Sequence, residues 1–222
     1  MRLIPPLPVI AEKYKKLNYL KFTSSVFLSF LFLLLSLVTT FFAITYATNN
    51  SSYPVTDVIL DNIPVFDVDA IFLYGPTIFW IIISLYFILH EPEKIPFALK
   101  SIALFFLIRS FFISLTHIGP FPTHISIIST GTLGIFSTGN DLFFSGHTGM
   151  PFLAALLLWD NKVMRYFSII ASLFFGAVVL MGHLHYSIDV FAAFFITYGI
   201  FHLSEKFFSN PRITLHRTPT RL

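Results

Sequence analysis

The sequence predicts an all-α, polytopic membrane helix bundle with six transmembrane helices and both termini in the cytoplasm. Three observations lead to this prediction: the scarcity of charge, the length of the apolar runs and the distribution of the basic residues. Only 11% of the 222 residues are charged and 55% are hydrophobic, whereas soluble domains carry roughly 25% charged residues. The apolar runs are long enough for a hydrocarbon core of about 30 Å, which takes roughly 20 helical residues to cross.

Six apolar runs are predicted to span the bilayer, at about 22–47, 69–89, 96–116, 144–159, 164–182 and 185–207. The first run is too long for a signal-peptide core and lacks a small-x-small cleavage site, so we expect it to be retained. The fourth is short, which leaves open whether it starts inside the preceding connection. The predicted organisation is a basic cytoplasmic N-terminal segment (1–21), a six-span membrane domain (22–207) and a basic cytoplasmic tail (208–222). Both polar ends are expected to be partly disordered.

The basic residues indicate the orientation. Of the 14 Lys and Arg residues, 13 lie before the first run, in or beside the second and fourth connections, or at and beyond the end of the sixth run. Because cytoplasmic loops are enriched in Lys and Arg, both termini and these two connections are predicted to be cytoplasmic. The net charge of +3 therefore reflects topology and not nucleic-acid binding. The absence of cysteine excludes disulfides, a thiolate nucleophile and a Cys-based metal site.

Most of the remaining polar chemistry lies in the odd-numbered connections, on the predicted non-cytoplasmic side. Four aspartates of the first connection are expected to form a solvated outer surface, although the segment "NIPVFDVD" could line an entrance for a headgroup; they are Asp57, Asp61, Asp67 and Asp69. His117 and His124 lie in the third connection and are expected to be bystanders rather than headgroup contacts.

Arg109 is the fourteenth basic residue and lies inside the third apolar run, about seven residues from its outer end. An arginine at that depth is costly unless it reaches the interface or meets a counter-charge. Reaching outward would require it to cover roughly 10 Å at 1.5 Å rise per residue. We therefore expect Arg109 to face the bundle interior, where it contacts a phosphate or pairs with Asp189 or Asp141.

Two short motifs carry titratable groups at the outer boundary. In "MGHLHYSIDV", a helix that begins near His185 places His185 and Asp189 on one face, four residues apart. A carboxylate beside an imidazole fixes its tautomer and leaves the other ring nitrogen free to act as a base or a nucleophile.

In "FFSGHTGM", Ser145, Gly146, His147, Thr148 and Gly149 open an apolar run. The simpler interpretation is that Ser145 caps the helix and His147 lies exposed at the interface. The functional interpretation is an anion site, since the hydroxyls of Ser145 and Thr148 can donate and the two glycines leave N–H groups accessible at a helix N-terminus. His147 could then give a proton to an oxygen leaving phosphorus.

Together the motifs resemble the sphingomyelin synthase family, a branch of the type 2 phosphatidic acid phosphatase superfamily. The family pattern Cys-Gly-Asp-x3-Ser-Gly-His-Thr is similar to "TGNDLFFSGHT", with Asp141 three residues before Ser145. The pattern His-Tyr-Thr-x-Asp-Val is similar to His185–Val190, preceded by His183, and Arg-x6-Thr resembles Arg109 followed by Thr116. The chain departs from the family at Thr138–Asn140 and at Ser204-Glu205. It carries Val179 where the lipid phosphatases have an arginine.

The resemblance implies a lipid phosphotransferase that passes through a phosphohistidine. It makes His185 the nucleophile, Asp189 its orienting partner and His147 the acid and then the base. Substrate or phosphate contacts are expected from Arg109, Asp141, Ser145, Gly146, Thr148, His183 and Tyr186. The implied substrates are a phospholipid donor and a lipid-alcohol acceptor such as ceramide or diacylglycerol, at a non-cytoplasmic site. No metal or other cofactor and no nucleic acid is expected. The alternatives are a lipid phosphate phosphatase that uses water and, in another class, a non-catalytic lipid transporter or scaffold.

Overall fold

The computed structural model describes residues 5–124 and 142–208. Across these ranges the chain forms seven α-helices and no strand. The helices are α1 (Leu7–Lys16), α2 (Tyr19–Asn49), α3 (Asp69–His90), α4 (Ile95–Leu115), α5 (Gly146–Leu157), α6 (Lys162–Met181) and α7 (Ser187–Phe208). Five of them, α2, α3, α4, α6 and α7, are long and apolar enough to cross a membrane. The all-α, multi-pass class is therefore confirmed, whereas a count of six spans and the orientation remain predictions.

The fourth predicted span corresponds to α5, which has only 12 residues. At 1.5 Å per residue it is about 18 Å long, well short of a hydrocarbon core of about 30 Å. Its interior location compensates for its length, since Leu153, Ala154 and Ala155 are fully buried. The helix packs mainly against α6 and α7 and also contacts α3 and α4. It is thus the central short element around which the longer helices are arranged.

Aromatic and aliphatic side chains fill the space between α3 and α7. Phe79, Phe105, Phe144, Leu153 and Ile200 belong to one buried cluster. On the other flank α2 packs along α4, where the hydroxyls of Thr40 and Ser110 are 2.9 Å apart. The outer surfaces of the long helices remain apolar, as expected for helices whose surroundings are lipid.

The first and third connections meet at one end of the bundle. Ser52 N–H donates to the His117 carbonyl at 2.7 Å, and Gly119 N–H donates to the Tyr53 carbonyl at 3.1 Å. Gly119 is required at this crossing because a Cβ atom there would overlap the carbonyl oxygen of Ser52. This joined pair of loops covers the N-terminal end of α7 and is the scaffold of the candidate site.

The N-terminal segment contains a helix that the sequence did not predict. Helix α1 ends in basic residues, and its Lys13 ammonium donates to the His90 carbonyl. The Tyr14 hydroxyl donates to the Ile88 carbonyl at 3.0 Å. Both acceptors belong to the last turn of α3, whose carbonyls have no partner within the helix. Residues 7–16 are therefore helical, and the expectation that the two ends are partly disordered remains a prediction. Most of the predicted tail, 209–222, lies outside the described residues.

Candidate active site

His185 and Asp189 face each other at the start of α7. The distance from His185 Nδ1 to Asp189 Oδ2 is 3.4 Å, and both side chains are buried. The helix begins at Ser187, two residues later than expected, so His185 lies in the preceding turn. Asp189 Oδ2 also accepts the Tyr186 N–H at 2.9 Å, as a carboxylate in the first turn of a helix can. Asp189 thus caps the first turn of α7 and lies at ion-pair distance from the imidazole, whose Nδ1 has no hydrogen-bond partner among the described residues.

Ser145 caps α5 and also joins the two motifs. Its hydroxyl accepts the Thr148 N–H at 3.4 Å, which satisfies one of the orphan donors of the first helical turn. Its own N–H donates to the carbonyl of Asp189 at 3.0 Å. A backbone hydrogen bond therefore places the first turn of α5 directly beside the first turn of α7.

His147 lies in the same region and contacts α3. Its ring stacks on Phe72 with centroids 3.9 Å apart, and its Nε2 is 3.3 Å from the Phe72 carbonyl oxygen. It is partly buried, not fully exposed as in the simpler interpretation. His185 and Arg109 both lie within electrostatic range of His147. Three helices and one turn thus bring together the groups that the sequence singled out.

Arg109 is 5% exposed and points into the bundle. Its Nε donates to the Phe144 carbonyl at 2.8 Å, just before α5 begins. A Cβ atom at Gly146 would lie 3.6 Å from the same Nε, so the guanidinium lies against the N-terminal end of α5. Of the two acidic partners expected for Arg109, Asp189 interacts with His185 and the Tyr186 N–H. Asp141 lies outside the described residues.

Gly149 of the first motif has a different role from the one expected. Gly149 N–H donates to the Ser145 carbonyl at 3.0 Å, so it is not available to an anion. A Cβ atom at Gly149 would lie 2.8 Å from both the Phe105 ring and the Thr197 hydroxyl. Gly149 is therefore a close-packing residue between α4, α5 and α7. Among the first-turn N–H groups, those of Gly146 and His147 have the position suited to an anion.

His183 and Tyr186 lie in the turn between α6 and α7. His183 has a positive φ of 54°, and its Nδ1 is 2.6 Å from the Thr123 hydroxyl. Its Nε2 is buried without a hydrogen-bond partner among residues 5–124 and 142–208. The Tyr186 hydroxyl donates to the Gly119 carbonyl at 2.8 Å and accepts the Val55 N–H at 3.2 Å. Tyr186 therefore ties loops together through its hydroxyl, and its contact with phosphate remains a prediction.

Comparison with known proteins adds one finding to this geometry. Residues 138–206 match the family model described as PAP2 superfamily C-terminal. No curated protein and no solved structure matches the chain. The matching segment covers about a third of the chain and includes both motifs and Asp141, but not Arg109. The match supports the PAP2 superfamily, whose members are phosphatases and phosphotransferases.

Asp57 is a buried residue that the sequence reasoning placed on a solvated surface. It is 7% exposed, and its carboxylate accepts from the backbone N–H groups of Ile59, Leu60 and Ser187 and from the Ser187 hydroxyl. Burial alone would raise the pKa of Asp57, but these hydrogen bonds outweigh it and hold the pKa below its ordinary value. No sequence signal separates Asp57 from the neighbouring aspartates, of which Asp61 and Asp67 are exposed as expected.

The histidines of the third connection make local contacts. His117 packs edge-on against Tyr46 with centroids 5.3 Å apart, and His124 Nδ1 is 2.8 Å from the Phe121 carbonyl oxygen. Within the described parts of the chain, no three His, Asp or Glu side chains are grouped as a metal site would need. The expectation of a metal-free reaction remains a prediction.

Proposed function

We propose that this protein is a membrane lipid phosphotransferase of the sphingomyelin synthase type. It moves a phosphorylated headgroup from a glycerophospholipid to a lipid alcohol, such as ceramide or diacylglycerol. The observation that carries the proposal is the buried His185–Asp189 pair at 3.4 Å, with His147 within electrostatic range of both His185 and Arg109. Both motifs lie within the residues that match the PAP2 superfamily.

In the first step His185 attacks phosphorus. Because Nδ1 faces the Asp189 carboxylate, Nε2 is the nitrogen that forms the bond. As the N–P bond forms, the bond from phosphorus to the glyceride oxygen breaks, and protonated His147 gives its Nδ1 proton to that oxygen and becomes neutral. The products are diacylglycerol and a headgroup phosphate on His185. The Phe72 carbonyl beside His147 Nε2 favours a proton on that nitrogen, which leaves Nδ1 for proton exchange.

In the second step the acceptor hydroxyl attacks phosphorus, and neutral His147 removes its proton. The N–P bond breaks and returns neutral His185. We expect the Arg109 guanidinium and the first-turn N–H groups of α5 to donate hydrogen bonds that stabilise the phosphate oxygens. The proposed set of substrate or phosphate contacts is completed by Asp141, Ser145, Thr148, His183 and Tyr186. Ser145 contributes through its position as the N-cap of α5.

Hydrolysis is the second candidate, since the PAP2 match is common to phosphatases and phosphotransferases. Val179 bears on this choice because the lipid phosphatases carry an arginine at that position. Val179 is completely buried in an apolar cluster, where an arginine would have no solvent and a high desolvation cost. This environment favours the transferase branch. A non-catalytic transporter has no comparable need for a buried histidine–aspartate pair.

The proposal is tested by incubating purified protein in mixed micelles with a headgroup-labelled glycerophospholipid, with and without ceramide or diacylglycerol. We expect label in a new phospholipid only when the acceptor is present, and an acid-labile, base-stable phosphoryl adduct on His185. His185→Ala is expected to abolish both. Label released only as a water-soluble product would support the hydrolase. If neither product forms although the protein is folded and monodisperse, the enzyme assignment is contradicted.

A further inference from the structure

We propose that Asp57 is a positioning residue, which holds the first turn of α7 and through it His185 and Asp189. This inference rests on the function proposed above and adds a group from the first connection, far from both motifs in the chain. Asp57 does not contact the proposed reacting atoms. It acts through Ser187, the first residue of α7.

Both oxygens of the Asp57 carboxylate are occupied. Oδ2 accepts the Ser187 N–H at 2.7 Å and the Ser187 hydroxyl at 2.8 Å. Oδ1 accepts the N–H groups of Ile59 at 2.9 Å and Leu60 at 3.1 Å. One carboxylate thus joins the turn at 57–60 to the start of α7, and hydrogen bonds to a charged acceptor are about twice as strong as neutral ones.

The anchored residue lies between the two groups of the pair. Ser187 follows His185 by two residues and precedes Asp189 by two, and Asp189 in turn accepts the N–H of the neighbouring Tyr186. A displacement of Ser187 therefore changes the relative position of imidazole and carboxylate, which are only 3.4 Å apart. Misplacement by about 1 Å can cost on the order of 10²-fold in rate.

Asp57→Asn is a sharp test because the change keeps the size of the side chain. An asparagine has one carbonyl oxygen, so its NH2 group must face either Ser187 or the Ile59 and Leu60 N–H groups. Asp61→Asn is the matched control in the same loop. The Asp61 side chain is exposed and accepts one bond, from the Asp57 N–H at 2.9 Å, which the oxygen of asparagine can also accept.

The first measurement is hydrogen–deuterium exchange of the segment 184–190 in detergent micelles. We expect faster exchange in Asp57→Asn and no change in Asp61→Asn. The second is the time course of phosphoenzyme formation from a labelled phospholipid. We expect its rate constant to fall about 10- to 100-fold in Asp57→Asn while its amplitude, which counts competent sites, is retained. Ser187→Ala keeps the backbone donor and should lie between Asp57→Asn and the wild type.

Each outcome decides the inference. Unchanged exchange in Asp57→Asn overturns the tether. Faster exchange with an unchanged rate constant, or with a loss of amplitude alone, overturns positioning and leaves a purely structural role. If wild-type protein forms no phosphoenzyme, the proposed function fails, and the exchange comparison by itself decides whether Asp57 anchors α7.

Discussion

Replacing Gly149 with alanine should destabilise the bundle at the helix that carries His147. The new Cβ atom would lie 2.8 and 2.9 Å from two carbons of the Phe105 ring and 2.8 Å from the Thr197 hydroxyl. Ordinary contacts of this kind begin at 3.4 Å, so the neighbours must retreat by about half an ångström. Phe105 and Thr197 are completely buried and have no free space to enter. Overpacking of this kind costs about 1–3 kcal/mol.

Gly199→Ala provides the control, because it is the same substitution in a membrane helix that contacts α5. No atom lies within 4 Å of a Cβ at Gly199, so only the helix propensity changes, which favours alanine by up to about 1 kcal/mol. The two variants should therefore shift stability in opposite directions. Because both glycines are helical, the gain in helix propensity is common to the two variants, and the difference between them is expected to be the overpacking cost of about 1–3 kcal/mol.

Thermal unfolding in detergent measures this difference. The chain contains no cysteine, which rules out thiol-reactive dyes, but Trp80 and Trp159 provide intrinsic fluorescence. A change of 1 kcal/mol shifts the midpoint by about 2–4 °C in a chain of this size. Gly149→Ala should unfold several degrees below the wild type and Gly199→Ala at or above it. Equal midpoints for the two variants would refute the packing argument and the location of α5 against Phe105.

Three further predictions concern the chemistry and the topology. Arg109→Leu should lower transfer about 10²-fold while membrane insertion is kept; near-normal turnover would remove Arg109 from the site. His147→Ala should bind donor lipid but stall the first step by about 10²–10⁴-fold, whereas Asp189→Asn should still form a slower phosphoenzyme; identical defects would contradict the separate roles. A single cysteine at Val58 should react with an impermeant thiol reagent in intact cells, whereas a single cysteine at Lys16 should react only after permeabilisation. The reverse pattern would show that the orientation is inverted.

The sequence predicted the membrane helices well because one physical requirement defines them. A span must be apolar over a length that matches the bilayer, so the long helices coincide with apolar runs to within a few residues. Helix α1 lacks this constraint. An isolated helix of 10 residues is marginal in water, and α1 interacts with the last turn of α3. That contact joins residues more than 70 positions apart and leaves no local pattern in the sequence.

In the candidate site, too, some features follow from local sequence and others depend on contacts between distant parts of the chain. The pairing of His185 with Asp189 was predicted from a four-residue helical spacing, and the two side chains do approach each other, although the helix begins only at Ser187 and His185 lies in the turn before it. The role of Gly149 could not be predicted from the sequence. A glycine that permits close packing and a glycine that exposes its N–H group cannot be distinguished until the neighbouring helices are known. Asp57 was hidden for a related reason. Two of its four donors belong to its own turn, and the other two belong to Ser187 at the start of α7, which only the folded chain brings close to Asp57.

Two kinds of attachment hold the site, and they differ in what a sequence can reveal. Where α4, α5 and α7 meet, both acceptors are main-chain carbonyls: the Arg109 side chain donates to the Phe144 carbonyl and the Ser145 N–H donates to the Asp189 carbonyl. Backbone groups occur at every residue, so this junction depends on the path of the chain. Where the outer loops meet the start of α7, the hydrogen bonds are made by the side chains of Asp57 and Tyr186. Variation in those loops should therefore affect the His185–Asp189 geometry first, while the junction beneath it, which carries Arg109 and His147, stays in place.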